Sequence, residues 1–362
     1  MAREGQRPFP SVNIFIILSF FSLTLSPFSP QVVSASVFKR LQLFSTEKTQ
    51  PSSTSSVLSL SLHPHSSIIK PPYDNYSDLE CTSLGTNQNC KADPCTYEAS
   101  YGDNSSTTGE FATETVSFRG SGSADKVAIG CGHANQGGFG GAAGILGLGG
   151  TPVGFPSQIR ATSFSYCLVD MDSNSSSSLE FNSAPPGDSV FVPLIINPII
   201  QVYYYVELTG VTINGEKVSI PPSDYQIDQD GGGGIIIDSG TTITEFPTQV
   251  YNSFRDTFVK YARALPPMSG FDDGLVKFDT CYDLSSEHKD GYPTMSFEFH
   301  GGKTLSLRPA NYLVRVDTRG KHCLAFTGTT ERVSIIGNIQ QQGMRVTYDL
   351  TNKLIGFSPN QC

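Results

Sequence analysis

The residues best suited to chemistry in this sequence lie in one short stretch, GGGGIIIDSGTTITEF, at positions 231–246. There Asp238 follows three isoleucines and precedes Ser239, Gly240 and Thr241. An apolar run of this kind predicts a buried strand, and the glycine allows a tight turn at its end. A carboxylate on such a turn can accept or donate a proton during catalysis. The pattern therefore predicts a catalytic carboxylate and raises the question of its partner.

Other kinds of catalytic or cofactor site are disfavoured. No two cysteines have the C-x-x-C spacing of a zinc site, so no metal is expected. The glycine-rich stretches lack the G-K-[ST] of a phosphate loop, and no cofactor is implied. The histidines have no G-x-S-x-G nucleophile elbow, which favours surface or loop histidines over a serine hydrolase. The six histidines are His63, His65, His133, His288, His300 and His322.

Composition limits the class of protein. The chain has 362 residues, of which 38% are hydrophobic and 16% charged, and this balance is typical of one large or two medium folded domains. Its formal net charge is -9. A nucleic-acid-binding face needs clustered Lys and Arg, which this acidic chain lacks, so nucleic acid is not an expected partner.

The N-terminus has the order of a secretory signal peptide. Arg3 and Arg7 precede an apolar run at 12–25, and the small residues VVSAS follow at 32–36. A run of about 14 residues is too short for a membrane span, which needs roughly 20. We expect a signal peptide at residues 1–35 and a Ser- and Pro-rich pro-segment or linker at 36–77. The predicted location is secreted, in the apoplast, or another secretory compartment.

The cysteines and glycosylation motifs fit an oxidising compartment. The chain has eight cysteines, which are more often bridged than free in such a compartment. The early four are Cys81, Cys90, Cys95 and Cys131, and the late four are Cys167, Cys281, Cys323 and Cys362. The candidate glycosylation sites are Asn75, Asn104 and Asn174.

After Asp78 the sequence has the pattern of short strands. Runs such as CTYEASYG, YYYVELTGVTI and MRVTYDL are cut by Gly, Asn and Asp, which predicts an all-β fold. One helix is predicted over 248–265, where Val250, Phe254, Phe258 and Tyr261 fall on one face. Two stretches resemble each other, GILGLGG at 144–150 and SIIGNIQ at 334–340, which indicates an internal duplication.

Five blocks together resemble the pepsin-like aspartic proteases, and above all their plant, nepenthesin-like branch with the guard-cell aspartic protease. The blocks are SYGDNSSTTGEFATETV, VAIGCGHANQGGFGGAAGILGLGG, FSYCLVD, IIIDSGTTIT and SIIGNIQQQGMRVTYDL. The resemblance covers about residues 79–362 and implies an all-β, two-lobed acid protease fold. Each lobe of that fold offers one Asp on a D-[ST]-G turn, braced by an apolar-apolar-Gly strand. Here the lobes are expected at residues 78–182 and 183–362.

The resemblance also implies roles for particular residues. Asp238 is the expected catalytic residue of the second lobe, and Ser239, Gly240 and Thr241 form its supporting turn. Tyr101 resembles the tyrosine of the flap that covers the cleft. The implied substrates are proteins or peptides, and the implied state is a monomer.

The resemblance implies a disulfide pattern as well. It links Cys281 to Cys323 and Cys167 to Cys362. Cys131 resembles a cysteine whose partner lies in a loop that this chain lacks, so we expect it to be unpaired or mispaired.

The first-lobe aspartate is missing from its expected place. Asp238 precedes the glycine of its bracing strand, Gly337, by 99 residues. The same spacing before Gly147 leads to Lys48. The first aspartates in the chain, Asp74 and Asp78, do not begin a D-[ST]-G motif. We interpret the gap as a deletion, which leaves the N-terminal lobe incomplete.

Three hypotheses follow for the function. The first is an aspartic endopeptidase by family whose present chain is truncated and inactive. The second is a non-catalytic binding or inhibitor protein on the same scaffold, similar to the plant pepsin-like xylanase inhibitors. The third, a dyad formed by Asp238 from two copies of the chain, is disfavoured because the first-lobe remnant would occupy the docking face.

Overall fold

The structure is a computed structural model. It describes residues 16–19, 56–57, 96–101, 105–118, 122–137, 144–171, 173, 175, 177–272, 277–285 and 291–362. Most of the predicted signal peptide and pro-segment lies outside these residues. So do the three candidate glycosylation sites, Asn75, Asn104 and Asn174, and the cysteines Cys81, Cys90 and Cys95.

The described part of the chain consists mainly of strands. Those of the first half are β1 (Ile16–Ser19), β2 (Ser56–Val57), β3 (Thr96–Ser100), β4 (Ser106–Phe118), β5 (Gly122–Gln136), β6 (Gly144–Gly147), β7 (Ser163–Cys167), β8 (Ser178–Phe181) and β9 (Val190–Pro193). Those of the middle are β10 (Tyr205–Val206), β11 (Leu208–Ile213), β12 (Glu216–Ser219), β13 (Ile235–Ile237), β14 (Thr244–Pro247), β15 (Pro267–Met268), β16 (Phe271–Asp272), β17 (Lys277–Phe278) and β18 (Cys281–Asp283). Those of the last part are β19 (Met295–Phe299), β20 (Lys303–Leu307), β21 (Leu313–Arg315), β22 (Lys321–Leu324), β23 (Phe326–Thr329), β24 (Ser334–Ile336), β25 (Met344–Asp349) and β26 (Leu354–Pro359). The all-β prediction is confirmed.

Helices are short, with one exception. The α-helices are α1 (Phe155–Gln158), α2 (Pro222–Tyr225) and α3 (Thr248–Tyr261), and the 3₁₀ turns are His300–Gly302, Pro309–Asn311 and Asn338–Gln341. None of the helices in the described ranges is long and apolar enough to cross a membrane.

The predicted helix over 248–265 is confirmed as α3 but ends four residues earlier. Ala262 caps it with an N–H bond to the Phe258 carbonyl. Pro266 and Pro267 follow closely, and proline cannot continue a helix. Phe254 and Phe258 are fully buried, as their spacing predicts, and the helix covers the sheets of the second lobe.

The strands form one large sheet and several smaller ones. The largest has six strands in the order β2-β8-β7-β25-β26-β9, and a five-stranded sheet has the order β10-β13-β24-β14-β23. Two sheets have four strands, in the orders β12-β11-β19-β20 and β15-β18-β22-β21. The three-stranded sheet β3-β4-β5 contains the hairpin predicted to be the flap. Two further pairs, β1-β6 and β16-β17, complete the described sheets.

The cores follow from alternation along the strands. In β19, for example, Met295, Phe297 and Phe299 are buried and the two residues between them are half-buried. Aromatic rings dominate the interior of the six-stranded sheet, where Phe164 and Tyr348 stack with ring centroids 4.4 Å apart.

Two disulfides join distant parts of the chain, as the resemblance implies. Cys281–Cys323 links the adjacent strands β18 and β22. Cys167–Cys362 ties β7 to the C-terminus. Cys131 on β5 is exposed and free.

Candidate active site

The Asp238 turn lies against its predicted brace. β13 runs parallel to β24, with Ile237 opposite Ile336, and Asp238 follows directly. Its backbone N–H donates to the Ile336 carbonyl at 3.1 Å. The predicted contact between the D-S-G turn and the apolar-apolar-Gly strand is therefore confirmed.

Glycine is required at position 337 because the backbone of Ile243 passes very close to it. A Cβ atom at this position would lie 2.5 Å from the carbonyl carbon of Ile243. Its N–H donates to the Thr244 hydroxyl at 3.1 Å. Beyond it, the N–H of Asn338 donates to the Thr241 carbonyl at 2.7 Å. A side chain at position 337 would push these two loops apart.

The Asp238 carboxylate is buried and held at both oxygens. Asp238 is only 8% exposed to solvent. Oδ1 accepts from the Gly240 N–H at 2.8 Å, and Oδ2 accepts from the Thr241 hydroxyl at 2.7 Å. Bonds of this kind hold the carboxylate in one orientation. Of the predicted supporting residues, Gly240 and Thr241 thus contact the Asp238 carboxylate directly.

Three consecutive glutamines, Gln340 to Gln342, form hydrogen bonds with the segments next to the Asp238 turn. Gln340 accepts from the Thr244 hydroxyl at 2.6 Å and donates to the Ala325 carbonyl at 3.1 Å. Gln341 donates to the carbonyls of Ile336 and Gly337 at 2.9 and 3.1 Å. Gln342 accepts from the backbone N–H of Met171 at 3.0 Å. All three are buried.

None of the sequence patterns described above pointed to these glutamines. The signal that could have found them is a polar run directly after an apolar-apolar-Gly strand and before another strand. Buried amides must be hydrogen-bonded, so such a run predicts a network around the turn.

Two buried tyrosines join this network from the six-stranded sheet. The Tyr166 hydroxyl donates to the side-chain carbonyl of Gln341. It lies 3.0 Å from the Tyr348 hydroxyl. Burial raises the pKa of both hydroxyls, and the charge of Asp238 adds to that rise. Both tyrosines therefore stay neutral at acidic and neutral pH.

Strand β14 carries a second carboxyl group near the Asp238 turn. Glu245 is paired with Ile335 of β24 and is only 6% exposed. Burial raises its pKa to about 7, with smaller contributions from the charges of Glu331 and Asp238. No sequence pattern pointed to this residue.

Tyr101 lies where the predicted flap hairpin turns. It follows β3, and its backbone N–H donates to the Ser105 carbonyl at 2.9 Å, which closes the β3–β4 hairpin. Residues 102–104 lie outside the described part. The covering role of Tyr101 stays a prediction.

The first-lobe bracing strand also has a parallel partner. β6 pairs with β1, with Leu18 opposite Leu146 and Ser19 opposite Gly147. The register is the same as that of β13 and β24, in which Asp238 follows the pair Ile237 and Ile336. The position that corresponds to Asp238 is therefore occupied by Ser19.

Comparison with known proteins gives the family. Family models described as "Xylanase inhibitor N-terminal" and "Xylanase inhibitor C-terminal" match residues 42–182 and 203–359. Aspartyl protease family protein 2 of Arabidopsis thaliana is 45% identical over 79% of this chain and 60% of its own length. The chain belongs to the pepsin-like aspartic protease family. Protein ASPARTIC PROTEASE IN GUARD CELL 2, also of Arabidopsis thaliana, is 41% identical over 80% of this chain and 62% of its own length. Aspartic proteinase nepenthesin-2 of Nepenthes gracilis is 39% identical over 80% of this chain and 66% of its own length.

The solved structures support the pepsin-like fold. Conglutin gamma, a basic 7S globulin from lupine seeds, matches with a TM-score of 0.64 and 18% identity, over 84% of this chain and 85% of its own. At this identity the likeness concerns the fold alone. The chain spans only 60% and 62% of the lengths of the two Arabidopsis relatives.

Proposed function

We propose that this chain carries the second-lobe half of an aspartic endopeptidase site. The observation that carries the proposal is the Asp238 carboxylate, buried on a braced turn with both oxygens held by hydrogen bonds. On this proposal, peptide-bond cleavage requires a first-lobe aspartate opposite Asp238, which the missing segment would supply. Residues 78–182 are the remnant of that first lobe.

The chemistry of two carboxylates explains this requirement. Two carboxyl groups about 3 Å apart cannot both ionise, so they share one proton and hold a water molecule between them. The ionised group removes a proton from the water as it attacks the peptide carbonyl. The protonated group donates its hydrogen to the developing oxyanion. The proton taken from the water then passes to the leaving amine, and the peptide bond breaks.

The chain as written is proposed to be inactive for the same reason. A lone Asp238 can act as base or as acid, but it has no partner to do the other task at the same time. Tyr101 is proposed to cover the cleft in the complete enzyme.

A second candidate function is a non-catalytic binding protein on the same scaffold. The descriptions of the two matching family models favour it, because they name xylanase inhibitors. The intact turn at Asp238 argues against it. A binding protein has no chemical need for a buried carboxylate oriented by Gly240 and Thr241.

The setting of the proposed enzyme is the secretory pathway. The signal-peptide pattern at residues 1–35 and the two disulfides support this location. The proposed substrates are proteins or peptides, and the proposed active unit is a monomer. Glycosylation at Asn75, Asn104 or Asn174 would be consistent with this location.

The decisive experiment compares two forms of the protein. The chain as written and a form with the missing segment restored, including its D-T-G, are incubated with a denatured protein substrate between about pH 3 and 6. We expect no cleavage by the first form and pepstatin-sensitive cleavage by the second. If the restored form folds but does not cleave, the protease proposal is wrong and the binding function is favoured. Cleavage by the chain as written would refute the need for the missing aspartate.

A further inference from the structure

The Tyr166 hydroxyl lies at a junction of hydrogen bonds beneath the Asp238 turn. It donates its single hydrogen to Gln341, so the hydrogen in its bond with Tyr348 must come from Tyr348. It also accepts a hydrogen bond from the Ser239 hydroxyl. One donated and two accepted bonds use the full hydrogen-bonding capacity of a tyrosine oxygen.

Gln341 connects the Tyr166 hydroxyl to the backbone of the bracing segment at Ile336 and Gly337. Its side-chain carbonyl accepts from Tyr166, which fixes the orientation of the amide. Both of its amide hydrogens then point at backbone carbonyls, that of Ile336 at 2.9 Å and that of Gly337 at 3.1 Å. The Ile336 carbonyl is also the acceptor for the Asp238 N–H, at 3.1 Å.

The two tyrosines differ in their distance from the turn. Tyr166 bonds directly to Ser239 and, through one amide, to the acceptor of the Asp238 N–H. Tyr348 reaches the turn only through Tyr166. Both side chains are fully buried in the same sheet, on the neighbouring strands β7 and β25. Removing either hydroxyl leaves the ring packing intact, so the pair offers a matched comparison.

We propose that Tyr166 is a positioning residue that holds the Asp238 turn in place through Ser239 and Gln341. This inference deepens the proposed function, because it concerns the same site, but its test does not depend on catalysis. The hydroxyl of Tyr166, which comes from the six-stranded sheet, fixes the loop of the second-lobe carboxylate. Tyr348 serves as a second layer that orients the Tyr166 hydroxyl.

Amide hydrogen exchange tests this role in the full chain. The reporters are the Asp238 N–H, which bonds to Ile336, and the Gly240 N–H, which bonds to the Asp238 carboxylate. The Ala262 N–H at the end of α3 serves as a remote reference. We expect Tyr166→Phe to speed exchange of the two reporters at least about tenfold relative to the reference. Tyr348→Phe should change that ratio less than about threefold.

A second variant distinguishes positioning from a general loss of stability. Ser239→Ala removes one arm of the junction and leaves both tyrosines in the core. If the two hydroxyls act together, the double variant Tyr166→Phe, Ser239→Ala should exchange no faster at Gly240 than Tyr166→Phe alone. This cycle also decides the matter if Tyr348→Phe fails to fold.

Two results would overturn the inference. One is an unchanged ratio of reporter to reference exchange in Tyr166→Phe. The other is fully additive effects in the double variant, which would mean that the hydroxyls act independently. Neither result bears on whether the restored protein cleaves peptides. Conversely, a restored protein that shows the expected exchange pattern but no activity would refute the protease proposal. It would leave the positioning role of Tyr166 intact.

Discussion

Two parallel ladders, β13–β24 and β1–β6, share a register but differ in chemistry. In β13 and β24 the strand leads into Asp238, which lies beside the brace glycine, Gly337. In β1 and β6 the strand ends with Ser19 opposite Gly147. β1 also comes from the segment predicted to be a signal peptide, whereas β13 is preceded by a glycine-rich turn.

This difference shows which features are needed to form the ladder and which are needed for a catalytic site. Apolar residues and a close glycine are enough to form the parallel ladder, because they satisfy packing and backbone hydrogen bonds. The ladder does not require a carboxylate at its end. The second-lobe ladder surrounds its carboxylate with hydrogen bonds from Gly240 and Thr241, and that surrounding structure indicates a site.

The largest expected effect is on activity in the restored form. Asp238→Asn keeps the shape of the side chain but removes the ionisable group, so we expect peptide cleavage to fall at least about 1,000-fold. The measurement is kcat/KM on a peptide substrate at acidic pH. Asp228→Asn is the control, since this carboxylate bonds to the backbone of its own loop, at Asp230 and Gly232. Equal losses in both variants would mean that Asp238 has no special role.

The next effect tests the brace of the second ladder. Gly337→Ala places a methyl group 2.5 Å from the Ile243 carbonyl carbon, so we expect the free energy of unfolding to fall by about 3 kcal/mol. Gly144→Ala in the first ladder meets no atom within 4 Å and should change it by less than about 0.5 kcal/mol. Urea unfolding followed by circular dichroism measures both. Similar losses in the two variants would contradict the difference in packing.

A pH effect of similar size is expected from Glu245. Its pKa of about 7 in the folded chain lies above the ordinary value of 4.5, so the folded chain binds an additional proton between these pH values. The contribution of Glu245 to stability should therefore be fully present below pH 4.5 and fall by about 3 kcal/mol as pH rises from 4.5 through 7.

Glu245→Gln should remove most of this slope, which unfolding curves at pH 5 and 8 will measure. Glu216→Gln is the control, because Lys260 holds the pKa of the exposed Glu216 carboxyl below its ordinary value and outside this window. Parallel slopes in Glu245→Gln and the unchanged protein would show that Glu245 does not titrate there.

The smallest effect concerns the first ladder itself. Deleting residues 1–35, as signal-peptide cleavage would do, removes β1 and leaves β6 without this partner. We expect amides of Gly144–Gly147 to lose protection from hydrogen exchange, while those of Ile235–Ile237 keep theirs. The stability of the second lobe should change by less than about 0.5 kcal/mol. Loss of protection in both ladders would show that they are coupled.

Local pattern was enough to predict one half of the site. The strand and turn around Asp238 are encoded in a few contiguous residues, because a buried strand needs apolar side chains and a tight turn needs glycine. The strand that braces the turn followed from the family resemblance. The helix at Thr248–Tyr261 was predictable for the same reason, although its end was not. The two disulfides followed from family resemblance rather than from spacing.

The sequence by itself therefore predicted which residues form the turn, and the family resemblance predicted which strand braces it. The sequence also has no D-[ST]-G motif at the spacing expected for a first-lobe partner. Only the tertiary structure decided what surrounds the carboxylate. Tyr166 and Gln341 are 175 residues apart and meet because β7 and β25 pair in one sheet. Glu245 has a high pKa because the fold buries it, which no local pattern indicates. Hydrogen bonds and burial depend on which distant segments close over a side chain, and sequence spacing does not specify that closure.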